Sequence, residues 1–200
     1  MRKIVYLISP NKIDRNFYSS LKKVLSSRNI AFFQLRLKKY RNNEIYKIAK
    51  KIQKITKKYK VKFIINDNYN LASQVNADGC HLGQSDGPKK LARHILNKKI
   101  LGITCHNSKK FAKNAVKYNA DYLALGSFYQ SKLKPNAVKA NLKTLKWASK
   151  NIKIPVVAIG GINNKNYKNL LKNGAKYIAL SSYIWDNPML KPELAIKVFK

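Results

Sequence analysis

Phe63-Ile-Ile-Asn-Asp-Asn68 and Ala77-Asp-Gly-Cys-His-Leu-Gly-Gln-Ser-Asp86 decide how this chain folds. In each, a short continuous apolar run ends in polar groups able to bind a metal or an anion. A short apolar run bounded by turn formers reads as a strand buried on both faces. Asn66 and Asp67 close the first run, and Gln84 and Asp86 follow the second. Two carboxylates, Asp67 and Asp86, therefore arrive from neighbouring strand ends. The chain has 8 acidic residues against 42 basic ones, so two of the few acids spent at strand mouths point to a use for them.

The same alternation runs outward in both directions. Strands are expected at Ile4–Ile8, Ala31–Leu37, Lys62–Asn66, Gly79–Leu82, Ile100–Cys105, Tyr122–Gly126, Val156–Gly160 and Tyr177–Ser181. Between them lie Lys-rich stretches at helical spacing: Asp14–Ser27, Asn43–Lys58, Ser108–Tyr118, Asn141–Lys150, Asn164–Asn173 and Pro192–Phe199, with shorter segments at Asn70–Val75 and Pro88–Leu96. Ile45, Ile48, Ala49, Ile52 and Ile55 form one stripe of the second helix. Asp14 is placed as an N-cap and Gly174 as the glycine after a helix. Buried strands alternating with amphipathic helices make a parallel sheet covered by helices. Eight repeats in 200 residues predict an α/β fold, a single (β/α)8 TIM barrel over residues 1–200. An open doubly wound sheet is the alternative, but no Gly-x-Gly-x-x-Gly follows the first strand.

Charge is the anomaly of the composition, with a formal net of +34. Such charge belongs to nucleic-acid or membrane binders, or to an AT-rich coding sequence. The basic residues divide into 36 Lys and 6 Arg, spread along the chain, and Asn, Ile and Tyr are frequent too. A reader of bases favours Arg, whose planar fork Lys lacks. A compositional origin is therefore expected, with no specific nucleic-acid partner. No apolar run approaches the ~20 residues of a membrane span. Cys80 and Cys105 lack zinc spacing and read as small buried residues. A reducing cytoplasm is the expected setting.

In a barrel the chemistry sits at the carboxyl ends of the strands, where the polar motifs fall. Gln34, Arg36 and Lys38 alternate along the end of the second strand and share one side. An Arg fork and a Lys point charge together suit a diphosphate. Asp67 and Asp86, with Asn66 beside them, suit Mg²⁺, which takes one or two carboxylates plus phosphate oxygens and water. The plain alternatives are an Asx turn at Asn66-Asp67 and a helix cap at Asp86. Thr104 offers a hydroxyl, and His81 and His106 are weighed as acid-base groups or as structural residues. Gly160-Gly161 lets backbone approach a phosphate or makes a tight turn. Ser181 and Ser182 follow the eighth strand, and the loops after strands seven and eight are where such barrels bind phosphate. Ser131, Lys132 and Lys134 lie in a longer loop able to cover the site.

In order, Gln34-Leu-Arg-Leu-Lys38, Ile65-Asn-Asp67, Ala77-Asp-Gly, His81-Leu-Gly-Gln-Ser-Asp86, Gly102-Ile-Thr-Cys-His106, Ala120-Asp-Tyr-Leu-Ala-Leu-Gly126 and Pro155-Val-Val-Ala-Ile-Gly-Gly-Ile162 span most of the chain. The ordered set resembles the thiamine phosphate synthase family. The resemblance implies condensation of hydroxymethylpyrimidine diphosphate with a thiazole phosphate, or its carboxylated precursor, releasing diphosphate. It implies that Gln34, Arg36, Lys38 and Asn66 bind the pyrimidine diphosphate and that Asp67 and Asp86 hold Mg²⁺. Thr104 falls at the family's serine position, and Lys134 at the loop lysine that bridges the two phosphates. Gly161, Ser181 and Ser182 match the thiazole-phosphate cradle. The implied mechanism is dissociative: diphosphate leaves, and the thiazole nitrogen attacks a pyrimidine-stabilised carbocation. The family loop Thr-x-Thr-Lys reads Ser131-Lys-Leu-Lys134 here, so Ser131 keeps a hydroxyl and Leu133 loses one. That departure predicts better use of the decarboxylated thiazole. A thiazole tautomerase on the same fold, with His106 as its acid-base group, and a basic nucleic-acid-binding protein are the competing readings. The charged set Arg36, Lys38, Asp67 and Asp86 argues against the first, and the absence of a reading motif against the second.

Overall fold

The computed structural model describes residues 3–130 and 139–200. Ser131, Lys132, Leu133 and Lys134 lie outside the described residues. Eight parallel strands close on themselves in sequence order, each paired with the next and β8 (Tyr177–Leu180) paired back to β1 (Val5–Ile8). Between these two come β2 (Ile30–Leu35), β3 (Lys62–Asn66), β4 (Gly79–Leu82), β5 (Ile100–His106), β6 (Tyr122–Gly126) and β7 (Val156–Ile159). The helices alternate with them: α1 (Phe17–Leu25), α2 (Asn42–Lys58), α3 (Tyr69–Val75), α4 (Lys89–Leu96), α5 (Lys109–Lys117), α6 (Leu142–Asn151), α7 (Tyr167–Lys172), α8 (Ser182–Trp185) and α9 (Pro192–Ala195). The fold is the TIM barrel expected.

The strands form because their side chains are buried on both faces, and alternation sorts them into two cores. Leu7, Phe33, Leu35, Phe63, Ile65, Leu101, Ile103 and Leu123 point out, against the helices. Tyr6, Ile8, Tyr122, Ala124, Val157 and Ala179 point in and fill the barrel. Tyr122 lies across this interior because Gly102 faces it: a Cβ there would collide with the tyrosine ring. On the outside, the stripe of α2 packs as its spacing requires, with Ala49 and Ile52 fully buried and Ile45, Ile48 and Ile55 at the margin.

Element ends are set by side-chain caps. Asn68, Ser108 and Asn141 each accept the backbone N–H three residues on, at the starts of α3, α5 and α6. Asp14 does the same for Phe17, so it closes a turn ahead of α1 rather than entering the helix. The expected long last helix ends instead as α9 followed by a 3-10 turn over Ile196–Val198. The strand ends differ from expectation by at most two residues. β2 stops at Leu35, so Arg36 and Lys38 leave the sheet at its carboxyl end.

Candidate active site

At the carboxyl end of β3, Asp67 takes a left-handed backbone with φ of 65°, which aspartate tolerates better than most residues. Its N–H donates to the carbonyl of His81 at 2.8 Å, tying the exit of β3 to β4. One residue later Asn68 takes over as the cap of α3, which leaves the Asp67 carboxylate free for the mouth of the barrel. Asp86 arrives from the loop after β4. Its Oδ2 accepts the Gly83 N–H at 2.7 Å, so it bends back to its own loop. The N-cap of α4 is Pro88, and the expected helix-cap role of Asp86 is therefore not taken up.

The two carboxylates come within hydrogen-bonding reach of one another. Burial, and then the hydrogen bond and charge of Asp86, push the Asp67 carboxyl above its ordinary value. Asp86 goes the other way. Burial pushes it up, but the bonds from Asp67 and the Gly83 N–H, with Lys38 and Lys89 nearby, outweigh burial and hold it down. A pair so placed holds one proton or one cation between its oxygens. Lys38 partly answers the need, with Nζ 3.2 Å from Asp67 Oδ2. A cavity of about 450 Å³ opens here, lined by Lys38, Asn66, Asp67 and Asp86 together with Asn42 and Tyr69.

The loop that carries Asp86 is clamped by Lys89. This lysine is buried, and its Nζ donates to the carbonyls of Gln84 at 2.8 Å and Gly87 at 2.9 Å. Burial lowers its pKa and the Asp86 charge raises it again. Nothing in the sequence separates Lys89 from the other lysines.

The sequence-derived groups divide into two places. Gln34 and Thr104 lie at the interior of the barrel mouth. Gln34 is 3% exposed and donates from Nε2 to the Tyr6 hydroxyl at 3.1 Å, as its alternation with outward-facing Phe33 and Leu35 requires. Arg36 is half-buried at the end of β2, its backbone N–H held by Ser9 Oγ at 3.0 Å. On the far side, the loop after β6 lies across the Gly-Gly turn, with the N–H of Tyr129 donating to the Gly160 carbonyl at 3.1 Å. Gly160 and Gly161 have φ of 106° and 59°, and a Cβ on Gly161 would strike the Gln130 carbonyl. The tight-turn role of this pair is thus real. Ser181 Oγ donates to the Ser9 carbonyl at 3.2 Å, and Ser182 opens the short helix α8. None of these four residues lines the cavity beside the carboxylates.

The histidines separate cleanly. His106 packs edge-on against Phe111 of α5, at the helix layer. His81 lies inside the barrel, stacked on Tyr122, with Nδ1 2.9 Å from the Tyr122 hydroxyl and Nε2 2.8 Å from Thr104 Oγ1. Burial pulls its pKa down to about 4, so it is neutral at pH 7. Cys80 and Cys105 are free and buried, and burial pushes the Cys105 thiol up to about 12. Neither is an activated nucleophile.

Tyr6 and Tyr122 were missing from the sequence reading of the site. Tyr6 Oη lies 2.7 Å from Tyr122 Oη at the centre of the barrel. A signal for Tyr122 existed: glycine inside a strand, as at Gly102, marks the close approach of another group. Tyr6 left none beyond its place on an inward face.

Comparison with known proteins places this barrel in a family. A family model described as Thiamine monophosphate synthase matches residues 5–184. The chain is 55% identical over 200 residues to a thiamine-phosphate synthase of Pelagibacter ubique, covering 100% of this chain and 97% of that one. It is 37% identical over 199 residues to one from Methanobrevibacter smithii, covering 98% and 95%. The solved thiamine phosphate pyrophosphorylase of Pyrococcus furiosus superposes with a TM-score of 0.87 at 31% identity, covering 98% and 93%. With the barrel and these matches in agreement, the chain belongs to the thiamine monophosphate synthase family.

Proposed function

We propose that this barrel, spanning residues 1–200, joins hydroxymethylpyrimidine diphosphate to a thiazole phosphate and releases diphosphate with Mg²⁺ assistance. The observation that carries the metal is the contact between the Asp67 and Asp86 carboxylates beside Lys38. Both donors are hard oxygens. Among the described residues, no group of three or more His, Cys, Asp or Glu could hold a metal. A site of two carboxylates leaves positions for water and phosphate oxygens, which is the way Mg²⁺ is held. Bound there, the ion would neutralise charge on the departing diphosphate.

The remaining work falls to this chain's own groups. Gln34 and Asn66 orient the pyrimidine diphosphate at the mouth. Arg36 and Lys38 meet the leaving group, where charge grows as the carbon–oxygen bond breaks and its electron pair goes to diphosphate. Thr104 offers its hydroxyl to the same substrate. Gly160, Gly161, Ser181 and Ser182 hold the thiazole phosphate across the barrel. The thiazole nitrogen then gives its lone pair to the pyrimidine-stabilised carbocation. Ser131 and Lys134 would join the two phosphates from the loop outside the described residues. No protein nucleophile is required, which fits the inert thiols and the engaged His81. Positioning and charge stabilisation supply the rate. A cytoplasmic setting fits the free cysteines.

The test is diphosphate release from the pyrimidine diphosphate, with and without thiazole phosphate and with EDTA. The expected result is release that needs both the thiazole phosphate and Mg²⁺. Full turnover in EDTA would remove the metal role.

A further inference from the structure

We propose that Gln34, Tyr6, Tyr122, His81 and Thr104 form a one-way hydrogen-bond chain across the barrel interior, which makes Thr104 a hydroxyl donor towards the substrate. Five strands supply one residue each: β1, β2, β4, β5 and β6. The contacts run Gln34 Nε2 to Tyr6 Oη at 3.1 Å, Tyr6 Oη to Tyr122 Oη at 2.7 Å, Tyr122 Oη to His81 Nδ1 at 2.9 Å and His81 Nε2 to Thr104 Oγ1 at 2.8 Å.

Direction follows from proton counting. An amide nitrogen only donates, so Tyr6 accepts from Gln34. A tyrosine has one proton to give, and the partner of the Tyr6 hydroxyl is Tyr122. Tyr122 then accepts from Tyr6 and must pass its own proton on, to Nδ1 of His81. A neutral imidazole that accepts at one nitrogen carries its hydrogen on the other. Nε2–H therefore donates to Thr104 Oγ1. The Thr104 proton is left over from the chain, on a half-buried side chain near the carboxyl end of β5 where a ligand can accept it. Turning the Gln34 amide over would reverse every bond and make Thr104 donate inward instead. The orientation of one amide is thereby coupled to the role of a hydroxyl three strands away. The consequence for catalysis rests on reading Gln34 and Thr104 as substrate contacts. The chain itself does not, and Tyr6, Tyr122 and His81 are positioning residues.

The test is ¹⁵N NMR of the unliganded protein labelled at histidine, with His81 assigned among the 3 histidines by His81→Gln. Wild type is expected to show Nε2 protonated and Nδ1 bare. Gln34→Glu, at alkaline pH where the carboxylate only accepts, is expected to reverse the chain and move the hydrogen to Nδ1. Tyr6→Phe cuts the chain, so adding Gln34→Glu to it should leave His81 unmoved. Three outcomes would overturn the proposal: Nδ1–H in wild type, no reversal in Gln34→Glu, or the same reversal with Tyr6 replaced. The wild-type measurement decides even where a variant fails to fold. None of these signals depends on turnover, so failure of the assigned reaction would be seen separately.

Discussion

Arg36 and Asp67 show how a single side chain reads differently in sequence and in space. Scarcity drew attention to Asp67 and Asp86, and in the structure most of the other acids are occupied by structural bonds. Asp14 and Glu44 accept backbone N–H groups at helix starts. Asp78 accepts from the Phe63 N–H and Asp121 from the Leu101 N–H, each stapling the strand that follows it to an earlier one. Among the described residues, Asp67 and Asp86 instead meet each other in the lining of a cavity. We expect Asp67→Asn and Asp86→Asn each to weaken Mn²⁺ binding, read by electron paramagnetic resonance, and to raise the Mg²⁺ needed for half-maximal turnover. Unchanged metal affinity in both variants would contradict the assignment. Arg36→Ala should lower kcat/KM by the equivalent of about 2–4 kcal/mol, the cost of losing a donor aimed at developing charge. Arg36→Lys should fall between, since the charge stays and the fork is lost. Near-normal efficiency in Arg36→Ala would place the side chain away from the leaving group. What the sequence hid at this scale was partnership. Periodicity could place Gln34 on an inward face, but not the Tyr6 hydroxyl from β1 that meets it.

Strand β4 and the loop behind it show the same limits for an element. Both the strand and its polar end were legible, because four buried residues between an Ala-Asp turn and a Gly fit nothing else. The loop was not, because its clamp is a lysine in a chain full of lysines. Lys89 sits buried at the start of α4, where the helix dipole disfavours a cation. Its two carbonyl bonds offset that cost by fixing the turn that carries Asp86. Lys89→Met keeps the length but not the bonds. It should destabilise the fold by about 1–3 kcal/mol in denaturant titration, the range for stranded buried carbonyls. It should also raise the Mg²⁺ requirement, whereas Lys89→Arg should recover part of both. A variant with wild-type stability and metal dependence would show the clamp to be idle. His81 makes a pH prediction for the strand itself. Its folded pKa, about 4, lies below the ordinary 6.5 because burial penalises the cation. Protons therefore bind the unfolded chain more readily as pH falls from 6.5. Stability is undiminished above that range and is lost on acidification, by roughly 2 kcal/mol between pH 7 and pH 5. His81→Gln should be weaker than wild type at pH 7 yet lose less on going to pH 5. Parallel pH dependence in the two proteins would mean that His81 titrates normally.

For the whole molecule, closure of the barrel was legible because eight repeats with buried strands leave no edge to cover, and the sheet pairs β1 with β8 as that requires. The net charge of +34 is a signal of a different kind, since by itself it argues for a polyanion partner. One cluster of lysines in the structure offers such a partner a surface. Lys109, Lys110, Lys113 and Lys117 line one groove of about 430 Å³ along α5. They come from a single helix, and Lys109 is drawn over the Trp147 ring 5.2 Å away. Lysines along one helix can neutralise phosphates, but they present no fork to read a base edge. Duplex DNA should therefore bind weakly and without sequence preference. Four phosphate contacts would release enough counterions for affinity to fall about a hundredfold between 50 and 200 mM salt. Replacing Lys110 and Lys113 with Gln should halve that salt slope, if this helix makes the contact. The measurement is fluorescence anisotropy with two unrelated labelled duplexes across a salt series. Tight binding to one duplex over the other at physiological salt would make the charge a functional surface and not a by-product of composition.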